Sequence, residues 1–488
     1  MKQLILQHKY DIIKIALILL WGIGCFWFFE TEYKYHFFYE EQDQLFILDS
    51  EYLSHYFTKP AWLGCLAGDF LTQFYHYLYL GALILTGALL CLGDILRRNL
   101  EKRMEEMIPQ KAGTTTVSII ATLIALAFIT YQARLCLDEN YRLSHIICLI
   151  GGAMIWYGHN ILGNWLKKWW GRILLFFITQ AITYWMFGGL GLAVCVFFEL
   201  LSKQFILSTI AAAVFIAAII YVIAPYYNIT TEVALKYPGM GRIAELEDVR
   251  IAERTLQLDN EYYFGHYANV VDLYETKADA VTDMMTFYYC LSLAQMGSLP
   301  EKMVTLKKPY LGTFETIGSE TPMFVINMIH DLYWAIGDMT YTERAALLSN
   351  TFSRSGRNVR MIKRIAEANL VNGDTAAANK YLRLLGKSLV YKDWAEEHTP
   401  DQFSVPVKME IEKKQQFINT TNSIRLGDSC YTILTQLLDS NPDNLVALNY
   451  LLCSDMLSKE KDTFIRDYEK YDGGRVPFFQ QIYNSAKQ

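Results

Sequence analysis

The chain has 488 residues, of which 52% are hydrophobic and 19% charged, whereas about 25% of residues are charged in an average soluble protein. The formal net charge of −6 argues against a nucleic-acid partner, which needs a basic face, so we expect no nucleic acid among the partners. Long apolar runs fill the chain between Ile12 and Ala224, and the sequence beyond Pro225 is charged like a soluble domain. The sequence therefore predicts a polytopic membrane domain over 1–228 and a soluble domain over 229–488.

The apolar runs predict the membrane helices, because a helix needs about 20 apolar residues to cross the hydrocarbon core of a bilayer. These runs are Ile12–Phe29, Phe70–Leu92, Val117–Tyr131, Leu143–Tyr157, Ile173–Leu201 and Phe205–Ala224. The third and fourth runs are short and have aromatic ends suited to the membrane interface. No small-residue cleavage site follows the first run, so we interpret it as an uncleaved helix rather than a signal peptide.

The fifth run is too long for one upright helix and too short for two full ones. Its middle contains Gly188, Gly189 and Gly191, and each glycine disfavours a helix by about 1 kcal/mol relative to alanine. The glycines favour a break into two short helices, Ile173–Phe187 and Leu190–Leu201, which makes seven membrane helices in all. The alternative is one long tilted helix with its glycines at a packing face, which makes six.

Basic residues in the short loops indicate the orientation, because they favour the cytoplasmic side of a membrane. One side carries Lys2, Lys9, Lys14, Arg97, Arg98, Lys102, Arg103, Lys111, Lys167, Lys168 and Arg172. The opposite side carries Lys34, Lys59, Arg134 and Arg142. We therefore expect a multi-pass membrane protein with a cytoplasmic N-terminus. Seven helices place the C-terminal domain on the outer side, and six place it in the cytoplasm.

The soluble half shows helical periodicity, with apolar residues every three or four positions and no signal for a sheet. In the segment Ile365–Leu382 a first helix closes at Gly373, Asp374 is placed to cap a second, and small alanines allow close packing. This pattern resembles a tetratricopeptide-type hairpin, and Leu434–Leu457 and Tyr288–Lys302 are further candidates. The sequence predicts an all-α protein that ends in an α-solenoid. Such a domain either binds a protein partner on a concave surface or simply caps the membrane domain.

The first outer loop, residues 30–69, carries most of the candidate chemistry. The chain contains no P-loop, H-E-x-x-H, G-x-S-x-G or Rossmann fingerprint. Carboxylates cluster in this loop in Tyr39-Glu40-Glu41-Gln42-Asp43, and acids beside a membrane act as a general base or bind a divalent cation. The apolar residues among them, which predict a helix in the membrane interface, are Leu45, Phe46, Leu48, Leu53 and Phe57. The alternative is a solvated loop whose acids follow the orientation bias.

The layout of residues 1–228 resembles the membrane module of the polytopic glycosyltransferases that use lipid-phosphate-linked sugars, the GT-C fold. The resemblance rests on the acidic first outer loop with Lys59-Pro60 near its end, and on Asp138-Glu139 in the second outer loop. The turn Phe187-Gly188-Gly189 and the aromatic proline turn Ala224–Tyr227 resemble further elements of that module. The whole chain also resembles a bacterial family of multi-pass membrane proteins with the same layout. This resemblance implies a bacterial inner membrane, with the C-terminal domain in the periplasm when there are seven helices, and it implies no function.

The resemblance implies a glycosyltransferase that moves a sugar from a polyprenyl-phosphate donor to an acceptor held by the helical domain. Glu41 or Asp43 would remove the proton of the acceptor hydroxyl, either alone or through a divalent cation, and Asp138 or Glu139 would assist. The basic residues that would pair with the lipid phosphate are Lys59, Arg134 and Arg142. Contact with membrane lipid headgroups is the simpler role for each of these three.

A second hypothesis of a different class is a non-enzymatic membrane anchor. Its tetratricopeptide-like domain would assemble the protein partners of an envelope complex. The two hypotheses differ in what they require of Glu41 and Asp43. The transferase needs one of these acids in a pocket open to the lipid and the outer leaflet, whereas the scaffold tolerates their loss.

Overall fold

The computed structural model describes residues 2–107, 114–163, 165–166, 169–201, 205–276, 281–303, 306, 321, 323–353, 355–418 and 429–488. Across these ranges the regular structure is entirely helical, which confirms the predicted all-α class. The chain forms two compact units. The membrane unit consists of Met1–Glu41 and Leu48–Arg250, and the helical unit consists of Gln42–Ile47 and Ile251–Gln488. The division therefore falls at Arg250 rather than at residue 228, and a short segment of the first loop belongs to the helical unit.

The membrane unit contains the long apolar helices. Its helices are α1 (Lys2–Glu32), α2 (Lys34–Gln42), α3 (Ser50–Ser54), α4 (Trp62–Thr72), α5 (Leu80–Met107), α6 (Thr114–Leu135), α7 (Leu143–Gly163), α8 (Trp169–Leu200), α9 (Phe205–Ala218), α10 (Ala224–Tyr226) and α11 (Thr231–Lys236). Six stretches are long and apolar enough to cross a membrane: Ile12–Glu32, Leu80–Glu105, Thr116–Leu135, Leu143–Gly163, Trp170–Leu200 and Thr209–Tyr226. These six correspond to the six predicted runs, and they associate the protein with a membrane.

The second membrane helix begins later than predicted. Residues 70–79 complete α4, form the 3₁₀ turn Gln73–His76 and then a tight turn in which Tyr79 has a φ of 67°. Aromatic side chains of this stretch pack inside the loop, where the rings of Tyr75 and Phe37 have centroids 4.9 Å apart. The predicted start at residue 70 is therefore wrong, because these apolar residues stabilise the loop rather than cross the membrane.

Helix α8 folds back on itself. Gly188 has a φ of 66° and a ψ of −159°, a conformation that glycine adopts far more readily than other residues. Beyond Gly188 the Sγ atom of Cys195 lies 3.5 Å from the hydroxyl of Thr183, whereas a straight helix would separate them by about 18 Å. The predicted break at the glycines is confirmed, and residues 169–187 and 189–200 run antiparallel.

Small residues allow the hairpin of α8 to approach its neighbours closely. A Cβ atom at Gly152 in α7 would overlap the backbone of Gly191, so two helix backbones meet there without intervening side chains. At the tip of the hairpin the N–H of Gly189 donates a hydrogen bond of 2.8 Å to the carbonyl of Tyr237. The chain after the last span is therefore fixed to the hairpin by its backbone.

The helical unit consists of shorter helices. These are α12 (Leu246–Tyr263), which begins in the membrane unit, α13 (Tyr267–Thr276), α14 (Asp283–Gln295), α15 (Leu299–Met303), α16 (Met323–Ile336), α17 (Met339–Phe352), α18 (Val359–Asn372), α19 (Thr375–Leu385), α20 (Lys392–Glu397), α21 (Val405–Gln415), α22 (Cys430–Ser440), α23 (Leu445–Ser458), α24 (Lys461–Asp467) and α25 (Pro477–Lys487).

The predicted hairpin of the soluble half is formed by α18 and α19. Gly373 ends α18 with a φ of 79°, and the carboxylate of Asp374 caps α19 by accepting the N–H of Ala377 at 2.9 Å. The pairs α22–α23 and α14–α15 correspond to the other two candidates. Helix α23 also packs against α14 and α16, which are distant in sequence, and these helices share one core. The packing thus goes beyond the neighbour-to-neighbour contacts of a regular solenoid.

Candidate functional site

The two acids that the resemblance nominates in the first loop are buried. Glu41 lies near the end of α2 with 1% of its surface exposed, and Asp43 just beyond that helix is 5% exposed. They belong to different compact units, because the membrane unit includes Glu41 and the segment of the helical unit starts at Gln42. Neither carboxylate lies on an open surface.

The interfacial helix predicted from the apolar residues of this loop is formed only in part. Residues 44–49 have no helical structure, whereas Leu53 and Phe57 lie in α3 and in the 3₁₀ turn His55–Thr58 that follows it. The carboxylate of Asp49 accepts the N–H groups of Glu51 and Tyr52, which caps α3 at that point and fixes its start. Before Asp49, the residues Leu45 to Ile47 are buried and Leu48 is 53% exposed.

Glu40, which precedes Glu41 in α2, has polar and aromatic neighbours in the membrane unit. The hydroxyl of Tyr33 donates to Glu40 Oε1 at 3.4 Å, and the Tyr33 ring stacks on His36 with centroids 4.2 Å apart. Burial and the nearby Glu40 carboxylate raise the pKa of Tyr75 well above its usual value, while the charge of Arg142 opposes this shift. Tyr75 therefore lies within electrostatic range of both Glu40 and Arg142. Of this group only Arg142 was a candidate in the sequence.

Asp138 and Arg134 both hold the chain that follows the last span. Asp138 Oδ2 accepts the N–H of Arg242 at 2.7 Å, and its Oδ1 accepts the N–H of Asn140 at 3.0 Å. The guanidinium of Arg134 donates to the carbonyl of Ala244 at 2.9 Å. Both oxygens of the carboxylate are therefore engaged by backbone groups, which is a structural role for a residue that the resemblance nominates for catalysis.

The remaining predicted residues have separate surroundings. Glu139 and Lys59 are exposed, and Lys59 directly follows the 3₁₀ turn His55–Thr58. The half-buried Arg142 donates its backbone N–H to His145 Nδ1 at 3.0 Å. Within the described part of the chain, no three His, Cys, Asp or Glu side chains form a group that could hold a metal ion. The four predicted acids thus occupy four different environments.

The segment Gln42–Ile47 is folded into the helical unit although it lies between the first two candidate spans. All six of its residues are buried, and Leu45, Phe46 and Ile47 are only 1%, 3% and 3% exposed. The hydrogen bonds that hold the segment include Leu45 N–H to the Arg357 carbonyl (2.7 Å), the Ser355 hydroxyl to the Asp43 carbonyl (3.2 Å) and Gln42 Nε2 to the Tyr391 hydroxyl (2.7 Å). The first two of these engage the backbone of the segment.

A buried ion network lies elsewhere in the helical unit, with Arg360 at its centre. The guanidinium of Arg360 donates to both carboxylate oxygens of Asp259, at 2.7 and 2.9 Å, and to Asp331 at 2.5 Å. Tyr288 donates to the same Asp259, and Arg364 donates to Asp331 at 3.4 Å. Burial raises the pKa of Asp259, and the charge of Arg360 opposes that shift. Sequence reasoning missed the network because its members come from α12, α14, α16 and α18 with no common spacing.

Lys363, one helical turn after Arg360, is surrounded by aromatic rings. Its ammonium group lies 5.3 Å from the ring centroid of Tyr263, 5.7 Å from that of Tyr391 and 4.6 Å from that of Trp394. It also donates a hydrogen bond of 2.6 Å to the Tyr263 hydroxyl. Because Tyr391 bonds Gln42 as well, a cation lies close to one end of the segment Gln42–Ile47.

The chain belongs to the family of unknown function DUF6057, whose model matches residues 9–486. The match therefore includes nearly all of both units. No curated protein and no solved structure matches the chain. The family description names no activity, so a function has to be argued from the geometry.

Proposed function

We propose that the protein is a non-enzymatic membrane anchor whose helical unit assembles partner proteins at the outer face of a bacterial inner membrane. The observation that carries the proposal is the burial of Glu41 and Asp43, which are 1% and 5% exposed. A general base must come within hydrogen-bond reach of the proton that it removes. The engagement of both Asp138 oxygens by backbone N–H groups supports the same conclusion.

Two features support seven membrane crossings. The segment Gln42–Ile47 precedes the second span, yet it folds in one compact unit with Ile251–Gln488, which follows the last span. Parts of one folded unit lie on the same side of a membrane, so an even number of crossings must separate them. Five candidate spans lie between them, and the reversal at Gly188 divides one of these into two. The six resulting crossings and the first helix make seven.

The distribution of basic residues supports an outer location for the helical unit. The basic end of α1 meets α5 and α6 through hydrogen bonds from Lys14 to Ser118 (3.0 Å), from Ser118 to Glu101 (2.5 Å) and from Arg97 to Glu101 (2.8 Å). Clustered basic residues favour the cytoplasmic side, and seven crossings place the helical unit opposite to it. Lys111, Lys167 and Lys168, which contributed to the predicted orientation, lie outside the described residues.

The helical unit has the features expected of an assembly domain. The hairpins α18–α19 and α22–α23 support a tetratricopeptide-like interpretation, and such domains offer surfaces for proteins. The outward face of α21 carries Val405 and Met409, which are 72% and 65% exposed and lie one helical turn apart. These two positions are therefore suitable for detecting a partner.

A lipid-phosphosugar-dependent glycosyltransferase is the second candidate. The reversal at Gly188 and the electrostatic contact of Tyr75 with both Glu40 and Arg142 favour it. In this alternative Glu40 or Glu41 would remove the proton of the acceptor, and Arg142 would pair with the phosphate of the lipid donor.

Photo-cross-linking tests the proposal. A photoreactive amino acid at Met409 is expected to give one discrete adduct with a protein identified by mass spectrometry. The matched position is Tyr221, which is 79% exposed within the last span and should yield lipid adducts only. The Met409 adduct should survive Glu40→Gln and Glu41→Gln. Loss of the adduct, together with loss of sugar transfer from polyprenyl-phosphate donors in membranes carrying either variant, would contradict the anchor and favour the transferase.

A further inference from the structure

The segment Gln42–Ile47 has the features of a bound peptide. It begins at the last residue of α2 and has no regular secondary structure from Gln44 to Ile47, and the chain on both sides of it belongs to the membrane unit. Its three consecutive apolar residues are the most deeply buried part. The helical unit therefore contains a groove that encloses a non-helical stretch from a distant part of the chain.

The groups that hold the segment lie in breaks between helices. Arg357 and Ser355 are located between α17 and α18, and Tyr391 directly precedes α20. Bonds to the main chain of a peptide give affinity without reading its sequence, and the side-chain pockets then give specificity. A groove built in this way suits a segment that places apolar residues at the corresponding positions.

The charge at one end of the groove selects among such segments. Lys363 lies over the ring of Tyr391, whose hydroxyl accepts the side chain of Gln42. The positive charge of Arg360, one turn earlier, is balanced by Asp259 and Asp331. The ammonium of Lys363 is held by rings and a phenol hydroxyl. A carboxylate in an incoming segment therefore gains an ionic contact at this end.

We propose that the groove formed by Ser355, Arg357, Lys363 and Tyr391 binds a non-helical segment of a partner protein that carries a carboxylate at the position of Gln42 and large apolar residues at the positions of residues 45–47. Gln42–Ile47 occupies the groove until the partner replaces it. The claim that the partner is a protein rests on the proposed assembly function. A segment tethered by short loops has an effective concentration of about 1 mM, so the partner must bind more tightly or be held nearby.

A labelled peptide with the sequence of residues 39–49 tests the groove on the full-length protein in detergent. The double variant Leu45→Ser/Phe46→Ser weakens the resident segment, and it should bind the peptide at least about tenfold more tightly than the wild type. A matched peptide with serine at the positions of residues 45–47 should bind neither protein. The proposal is overturned if the double variant has the same unfolding temperature as the wild type but does not bind the peptide of residues 39–49.

Hydrogen exchange of the wild type provides the same test if the double variant does not fold. With about 1 mM peptide, a concentration comparable to that of the tethered segment, the amides of residues 42–47 should exchange faster. An unchanged exchange rate contradicts the groove.

Dimerisation of the wild type through this segment also contradicts the groove, since a second copy of the chain would then be the occupant. The peptide test and the Met409 cross-link distinguish the two proposals. If the peptide does not bind but Met409 still forms its adduct, only the groove is wrong. If the Met409 adduct is lost, the assembly function is wrong.

Discussion

The membrane unit and the helical unit are stabilised by different contacts. In the membrane unit small residues bring backbones together, as at Gly152 and Gly191, and the hairpin of α8 is fixed by the bond from Gly189 to Tyr237. In the helical unit whole charges are buried, and Arg360 is paired with two carboxylates. Lipid is as apolar as the side chains, so close approach and backbone bonds stabilise the first unit. The second unit can bury ions because nearly complete pairing offsets their desolvation.

Gly188→Ala is expected to have the largest effect in the membrane unit. An added Cβ would overlap the carbonyl of Tyr237, and the positive φ of Gly188 would strain any other residue. Strain of about 1 to 3 kcal/mol and overpacking of similar size should together destabilise the hairpin by about 2 to 6 kcal/mol. Thermal unfolding in detergent measures the loss. Gly158→Ala is the matched control, because nothing lies within 4 Å of a Cβ there, and an equal loss for both variants would contradict the account.

Arg360→Met is expected to have the largest effect in the helical unit. It leaves Asp259 and Asp331 buried without their principal cation, and breaking a buried pair costs about 3 to 5 kcal/mol. The measurement is the free energy of unfolding of the full chain in denaturant. The control is Arg383→Met, which removes an exposed arginine whose Nε–H donates to the carbonyl of Asn379. This variant should change stability little. A wild-type stability for Arg360→Met would mean that the ion network is not fully formed.

Asp455→Asn should make the helical unit less dependent on pH. Burial, and then the neighbouring Asp467 carboxylate, raise the pKa of Asp455 to about 7. The folded protein thus retains a proton that the unfolded chain releases near pH 4, so stability falls as the pH rises from about 4 to about 7. At pH 8 the variant should be more stable than the wild type by at most about 4 kcal/mol, with a smaller gain at pH 5.

The control for this prediction is Asp462→Asn, which changes an exposed acid in the same region. Thermal unfolding at pH 5 and pH 8 should give nearly the same pH dependence for this control and the wild type. If the stability difference between Asp455→Asn and the wild type is the same at pH 5 and pH 8, Asp455 does not titrate between these two pH values.

Asp138→Ala should have the smallest effect. It removes the acceptor for the N–H groups of Arg242 and Asn140, and the loss of such a bond costs about 1.5 kcal/mol. Hydrogen exchange should detect faster exchange around residue 242, with the helices unaffected. Glu139→Ala, at an exposed neighbouring position, should leave the exchange unchanged. Slower or unaltered exchange at residue 242 in the Asp138 variant would show that another group holds this segment.

The sequence was sufficient for features that depend on neighbouring residues. The break at Gly188 and the turn at Gly373 with its Asp374 cap were predicted because glycine and capping residues act locally. The start of α5 was missed because hydropathy does not distinguish a membrane helix from a buried loop, and residues 70–79 are mostly apolar. The Arg360 network joins residues up to 101 positions apart, and the insertion of Gln42–Ile47 depends on contacts across more than 300 residues, which no local spacing encodes.

The most direct test of the account is the side of the membrane on which the helical unit lies. The same compartment-sensitive reporter can be fused after Glu51 in the first loop, after Lys102 at the basic end of α5, and after Gln488. The account predicts that Gln488 and Glu51 lie on the outer side and Lys102 on the inner side, as seven crossings require. A reporter after Gln488 that shares the side of Lys102 would mean an even number of crossings. Gln42–Ile47 could not then fold with the helical unit, and both the groove and the outer assembly function would be wrong.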